Sequence, residues 1–238
     1  MHVLAQHSAG VPLEPEERSA YLEGVWDQIN FDANWLSAVE RAEAEDALDR
    51  FVAWQEARGH LELLGTEVPF RCEVTAGGRR ITLSGTADRV ERERDGRVRI
   101  VDFKTGRTAP AAADVAVQDQ LGVYQLAVAQ GAFAEVTGPG ARPSGAELVY
   151  LRLPEKQGNL PQVFTQASLD DVPFPVQTDV PVDPAETEGC PTWVHQRLRD
   201  AADIITAERF DARLGPACRW CPFRTSCPAH PAGRQVVA

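Results

Sequence analysis

The stretch Ile100-Val101-Asp102-Phe103-Lys104-Thr105-Gly106 combines an apolar strand pattern with two charged side chains. Residues two apart on a strand point to the same side of a sheet, so Asp102 and Lys104 project together. Asp88 lies on the preceding predicted strand, and Asp95-Gly96 is a tight-turn signal between the two. A hairpin pairing whose residue numbers sum to about 191 places Asp102 opposite Arg89, with Asp88 one step away in register. The pattern predicts two carboxylates and one amine on a single patch.

The elements around this stretch predict an α/β chain of the α+β type, in which a helix pair is followed by an antiparallel meander, a helix, further strands and a last helix. Apolar residues at helical spacing from Tyr21 to Trp26 indicate the first helix. Strands are predicted over 68–75, 79–91, 98–104, 145–153 and 162–167, and further helices over 34–58, 114–130 and 192–210. We expect an N-terminal helical segment over 1–64, a core over 65–210 and a cysteine-rich tail over 211–238.

The charge of this 238-residue chain is uneven: 24 basic and 35 acidic residues give −11. Such an excess ordinarily counts against a nucleic-acid partner. However, residues 14–50 hold eleven acidic and three basic residues, a local net of −8, and residues 208–238 hold five arginines against two acids. No apolar run approaches the roughly 20 residues of a membrane span, and no secretory signal is recognisable. We therefore expect a cytoplasmic protein with no membrane partner, and the net charge does not exclude DNA.

Two carboxylates beside a lysine suit phosphodiester hydrolysis, because carboxylate oxygens bind Mg²⁺ or Mn²⁺ and an ammonium stabilises charge on the phosphate. Gln120 and Tyr124, four residues apart on a predicted helix, share one face and can contact phosphate oxygens or brace Lys104. The simpler alternatives are an exposed Asp–Lys pair at a strand end and a buried tyrosine beside a surface glutamine.

Cys218, Cys221 and Cys227 stand close together in an irregular tail with prolines and aromatic residues. This spacing is typical of zinc or iron–sulfur ligation in a reducing compartment. For zinc, His230 is a candidate fourth ligand. Cys190 precedes the last predicted helix, and Cys72 is interpreted as a small buried strand residue.

Three stretches carry a family resemblance: Gly85-Thr86-Ala87-Asp88-Arg89-Val90, Val101-Asp102-Phe103-Lys104-Thr105-Gly106 and Gln120-Leu121-Gly122-Val123-Tyr124. In order and spacing they resemble the motifs of RecB-like nucleases, the branch of the PD-(D/E)xK superfamily found in bacterial helicase–nucleases such as AddAB and AdnAB. The resemblance implies a restriction-endonuclease-like core, a central mixed sheet flanked by helices. It also implies that the chain is a C-terminal portion of a helicase–nuclease.

The resemblance assigns roles to individual residues. Asp88 and Asp102 would bind Mg²⁺ or Mn²⁺ together with the Phe103 carbonyl, and Lys104 would be the catalytic lysine. Gln120 and Tyr124 would form the helix motif beside the site. His2 resembles a metal-ligating histidine of the family, although the glycine motif that precedes it there is missing here. Glu67 resembles a recurrent acidic position near the site, and a surface strand residue is the alternative interpretation.

For the tail, the resemblance implies a [4Fe–4S] cluster on Cys218, Cys221 and Cys227, whose fourth cysteine lies outside this chain; Cys190 is a possible substitute and Zn²⁺ is the alternative metal. The implied function is a metal-dependent, exonuclease-like deoxyribonuclease in DNA end processing and recombinational repair, acting on single-stranded ends beside a helicase. The alternative is a catalytically inactive DNA-binding or structural module that retains the fold and the cysteines.

Overall fold

The protein is built on one mixed five-stranded sheet in spatial order β1-β2-β3-β4-β5. The computed structural model describes residues 15–26, 28–172 and 188–233. All neighbouring strands are antiparallel except β3 and β4, which are parallel and joined by a helical crossover. The strands are β1 (Glu62–Ala76), β2 (Arg79–Arg92), β3 (Val98–Lys104), β4 (Pro143–Pro154) and β5 (Pro161–Ala167).

The helices lie before, within and after the sheet in sequence. They are α1 (Pro15–Trp26), α2 (Asn34–Ala57), α3 (Ala112–Ala116), α4 (Asp119–Ala129), α5 (Ala134–Thr137) and α6 (Trp193–Thr206), with a 3₁₀ turn at Pro216–Arg219. Helices α3 to α5 form the crossover between β3 and β4, a connection that parallel strands require. Among the described residues, no helix is both long and apolar enough to cross a membrane.

The alternation of side chains along β3 divides the core between the two faces of the sheet. Ile100 belongs to the larger cluster, which α4 and α6 cover with Leu121, Tyr124 and Trp193 among others. Val101 and Phe103 point to the opposite face, where Phe51 and Trp54 of α2 pack against them. Asp102 is two residues from Ile100 and points to the same face of the sheet. The predicted reactive face is therefore the one that α4 covers.

The α2 face also buries a set of ion pairs that ties α2 to the sheet. Glu91 is 1% exposed and accepts from Arg58 and from the Nε of Arg89 at 2.7 Å. Arg58 also donates to Glu147 at 2.9 Å and lies over the Trp54 ring at 4.6 Å. Because these charges are paired and hydrogen-bonded within the protein, they stabilise the interior arrangement without adding an exposed charged patch.

The structure confirms the fold class and corrects several predicted boundaries. The strand predicted over 98–104 is observed as β3, and the antiparallel meander is confirmed by β1 to β3. The strand predicted to begin at residue 68 begins at Glu62, because it continues to pair with β2 through a bulge. The division at residues 64/65 and 210/211 stays a prediction.

The single helix predicted over 114–130 is two helices, and the one predicted over 192–210 ends at Thr206. The break between α3 and α4 falls at Val117 and Gln118, whose backbone leaves helical geometry. Apolar periodicity continues across this break, which is why the sequence pattern did not reveal it.

Candidate active site

The two aspartates lie opposite one another where the β2–β3 ladder ends. Arg89 pairs with Val101, a register whose residue numbers sum to 190, so the predicted value was one residue too high. Extending this register places Asp102 across from Asp88 itself. Beyond the last ladder pair, the backbone N–H of Phe103 donates to Asp88 Oδ2 at 2.7 Å. The Asp88 side chain therefore replaces a strand partner and fixes its carboxylate beside β3.

Asp102 and Lys104 form the close ion pair that their spacing predicts. Lys104 Nζ lies 2.7 Å from Asp102 Oδ2, and the aspartate is 3% exposed while the lysine side chain is 32% exposed. Oδ2 is buried, and the Lys104 ammonium is the charged group that faces it.

Gln120 connects the lysine to the aspartate through its amide group. Its Nε2 donates to Asp102 Oδ1 at 2.8 Å and to Tyr124 Oη at 3.0 Å, while its Oε1 accepts from Lys104 Nζ at 3.0 Å. Both amide hydrogens and the amide oxygen are therefore used, which also fixes the orientation of the amide. Of the two roles considered from sequence, the structure places Gln120 in the role that braces Lys104.

Tyr124 is a second buried member of the same network, besides Asp102. Its hydroxyl lies 3.1 Å from the backbone oxygen of Thr86 and 3.3 Å from Asp102 Oδ1. Burial, together with the negative charge of Asp102, raises the pKa of Tyr124 to about 12. The hydroxyl stays protonated at neutral pH and serves as a donor. Its bond to Thr86 links the network to β2.

A buried pair of glutamines sets the position of α4, and sequence reasoning missed it. Gln166 on β5 donates to the backbone oxygens of Val115 and Gln118 at 2.9 and 3.1 Å, on either side of the break between α3 and α4. Gln125 donates to Gln166 Oε1 at 2.9 Å and is completely buried. The only available sequence signal was a glutamine within an apolar stretch of helix, which does not identify its partner.

The family model for the PD-(D/E)XK nuclease superfamily matches residues 1–228. The chain belongs to the PD-(D/E)XK nuclease superfamily. Among solved structures, one titled "Crystal structure of SSO0001" is 19% identical with a TM-score of 0.40, and the match covers 90% of this chain and 79% of that chain. Such a likeness supports no functional inference. None of the curated proteins matches the sequence.

Membership of this superfamily indicates a nuclease. Asp88 and Asp102, which lie opposite one another on β2 and β3, supply carboxylate oxygens of the kind that Mg²⁺ and Mn²⁺ prefer. These two residues fit such an ion. His2 lies outside the described residues, and within the described ranges no group of three or more His, Cys, Asp or Glu side chains is placed to hold a metal.

Glu67 lies at a distorted point of β1, the strand that neighbours β2. The ladder pairs on either side of it place it across from Asp88 on β2. Its backbone φ is +49°, in the left-handed region that residues other than glycine rarely adopt. The structure thus puts a third carboxylate on the strand next to the site, and its role in the nuclease stays a prediction.

The cysteines of the tail are a separate candidate site. Cys218, Cys221 and Cys227 are free, partly exposed thiols, and they do not form a metal-holding group in the described part of the chain. Cys190 is buried at 3% exposure, and Cys72, predicted to be buried, is only half-buried. The thiols are of the right type for a cluster, but their described arrangement is not that of an assembled ligand set.

Proposed function

We propose that this chain is a Mg²⁺- or Mn²⁺-dependent deoxyribonuclease that hydrolyses phosphodiester bonds at the Asp88–Asp102–Lys104 patch. The observation that carries the proposal is the closed network in which one amide, that of Gln120, binds Asp102, Lys104 and Tyr124 together. A surface Asp–Lys pair of no function does not require a dedicated bridging side chain. Superfamily membership supports the same reaction class and a DNA substrate.

In this function each side chain has a defined task. Lys104 presents an ammonium whose position is set by Asp102 on one side and Gln120 on the other, with part of its surface open to solvent. It orients the attacking water and stabilises the negative charge that develops on the phosphate. Tyr124 and Gln120 hold Asp102 from the α4 side, and the Phe103 N–H holds Asp88 from the strand side.

A divalent cation, held by Asp88 and Asp102 with the predicted help of the Phe103 carbonyl and His2, would supply Lewis acidity and charge neutralisation. The protein's own contribution is preorganisation, because both carboxylates are fixed before substrate arrives. This preorganisation is what makes electrostatic stabilisation effective in a partly buried site.

The finer features of the proposal come from the resemblance to RecB-like nucleases. They are exonuclease-like action on single-stranded ends, a role in DNA end processing and recombinational repair, and a helicase partner; the proposed cytoplasmic location comes instead from the sequence pattern. The division into segments 1–64, 65–210 and 211–238 and the [4Fe–4S] cluster on the tail belong to the same proposal. The spacing of Cys218, Cys221 and Cys227 supports the cluster.

The decisive experiment is cleavage of end-labelled single-stranded DNA with Mg²⁺ or Mn²⁺, compared with EDTA. Lys104→Ala is expected to abolish cleavage, whereas Lys156→Ala, which removes the same charge from an exposed loop, is expected to leave it intact. Equal activity of the two variants would refute the assignment of Lys104. DNA binding without cleavage by the wild-type chain would favour the inactive DNA-binding module. Labels at the 5′ and 3′ ends separate exonuclease from endonuclease products.

The cluster proposal has its own measurement. Protein purified without oxygen is expected to contain iron and inorganic sulfide and to be brown, and Cys221→Ser is expected to lose both. One equivalent of zinc without sulfide would instead establish the alternative metal.

A further inference from the structure

Two glutamates of α2 form ion pairs with two arginines near β3, the strand that carries Lys104. Arg107 lies 2.6 Å from Glu40 Oε1 and 2.8 Å from Glu43 Oε2. Arg152 lies 2.8 Å from Glu40 Oε2 and also contacts Glu43. The hydrogen bond from Arg152 is the main cause that holds the pKa of Glu40 below its usual range. The four side chains form a neutral cluster at neutral pH, which we call the Arg–Glu cluster.

The Arg–Glu cluster is close to the candidate active site. Arg107 follows Lys104 by three residues, which span at most about 11 Å of chain. Arg152 follows Tyr150 by two residues on β4, and Tyr150 pairs with Lys104 in the parallel ladder. Both arginines therefore lie near the end of β3, the strand that carries the proposed catalytic lysine, within reach of a DNA strand bound at Lys104.

The ion pairs of Arg107 are replaceable at low cost. The Arg107 side chain is 55% exposed and that of Glu43 38% exposed, and ion pairs exposed to this extent contribute only about 0–1 kcal/mol. The two non-bridging oxygens of a backbone phosphate can accept paired hydrogen bonds from a guanidinium, as the two oxygens of a carboxylate do. In addition, the Nε of Arg152 is buried with no acceptor, so this guanidinium is not fully satisfied by the glutamates.

We infer that Arg107 and Arg152 form a binding site for a backbone phosphate of the DNA strand, and that Glu40 and Glu43 occupy this site in the free protein. The inference rests on the proposed DNA substrate and extends it, because it names a contact beyond the reacting phosphate. On binding, the phosphate displaces one carboxylate of the Arg–Glu cluster. The glutamates thus weaken DNA binding, whereas a purely structural cluster would only anchor α2.

The chain offers charge-matched controls on the same helix. Arg41 pairs with Glu45 in an exposed pair, and Asp46, whose side chain is exposed, pairs with Arg50, each pair being four residues apart. Arg107→Gln and Arg41→Gln each remove one positive charge. The double variants Glu40→Gln/Glu43→Gln and Glu45→Gln/Asp46→Asn each remove two negative charges. Any difference within a matched set therefore reports position and not net charge.

The experiment measures binding of a fluorescent single-stranded oligonucleotide by anisotropy in EDTA, over a series of salt concentrations. Arg107→Gln is expected to weaken binding about tenfold and to lower the salt slope by about 0.7, the value for one phosphate contact on a single strand. Glu40→Gln/Glu43→Gln is expected to bind several-fold more tightly than Glu45→Gln/Asp46→Asn. Arg107→Lys, which keeps the ion pairing to α2, is expected to be intermediate.

Equal effects within either matched set would overturn the inference and leave the Arg–Glu cluster as an anchor of α2. Thermal unfolding of each variant shows whether a loss of binding reflects a loss of folded protein, and Arg107→Lys remains informative if Arg107→Gln unfolds. Because binding is measured without a divalent cation, its outcome is separate from that of the cleavage assay. Binding as expected without any cleavage would reject the nuclease and keep the phosphate site.

Discussion

Gln120 offers the clearest test of how the candidate site is organised. Gln120→Ala removes the donation to Asp102 at 2.8 Å and the acceptance from Lys104 at 3.0 Å. Each of these bonds involves a charged group, and such bonds are worth about 1.5–3 kcal/mol; because Gln120 is exposed, the lower value applies. If one or both bonds hold the reactive geometry, the cleavage rate falls by about 10- to 100-fold. The same two bonds limit the loss in the free energy of unfolding to about 3 kcal/mol.

The matched control is Gln118→Ala, two residues earlier at the start of the same helix. The Gln118 side chain accepts from the backbone N–H of Leu121 at 2.7 Å and caps α4, so its loss costs about 1 kcal/mol of stability. We expect this variant to be less stable but to cleave normally at low temperature. The assays are single-turnover cleavage of single-stranded DNA and urea unfolding. The reasoning is refuted if both variants lose activity in proportion to stability, or if Gln120→Ala cleaves at the wild-type rate.

Three further predictions concern the surroundings of the site. Glu91→Gln is expected to lower the free energy of unfolding in urea by about 3–5 kcal/mol, because it leaves Arg58 and Arg89 without their shared carboxylate. A loss below about 1 kcal/mol would contradict this. Gln166 sets the position of α4, the helix that carries Gln120. Gln166→Leu is therefore expected to slow cleavage in the wild type but not in a Gln120→Ala background. Additive losses would show that Gln166 acts independently of Gln120. Burial lowers the pKa of His195 below 6.5, so its contribution to stability is complete above pH 6.5 and is lost as the pH falls through the lowered pKa. His195→Gln should therefore flatten thermal stability in that range, and an unchanged pH profile would refute this prediction.

The sequence predicted the part of the site that depends on strand periodicity. Asp102 and Lys104 share a face because they are two residues apart, and the hairpin placed Asp88 within one residue of its true register. Gln120 and Tyr124 share a helical face for the same kind of local reason. The sequence did not predict the pairing of Gln166 with α4, because this contact joins residues about 50 positions apart through backbone oxygens that leave no trace in composition. It also missed the break after α3 at Val117 and Gln118, since apolar spacing is insensitive to a short non-helical interruption.

The net charge of −11 does not decide whether the protein binds DNA, because it does not report where the charges lie, and residues 14–50 alone carry −8. Glu91 and Glu147 are paired with buried or half-buried arginines on the α2 face, and Glu40 and Glu43 are paired in the Arg–Glu cluster. On the opposite face, two aspartates and one lysine leave the reactive patch at −1, a value that one divalent cation would change to +1. DNA affinity should therefore depend on which of these charges face the strand, and the charge-matched variants of α2 distinguish that dependence from an effect of total charge.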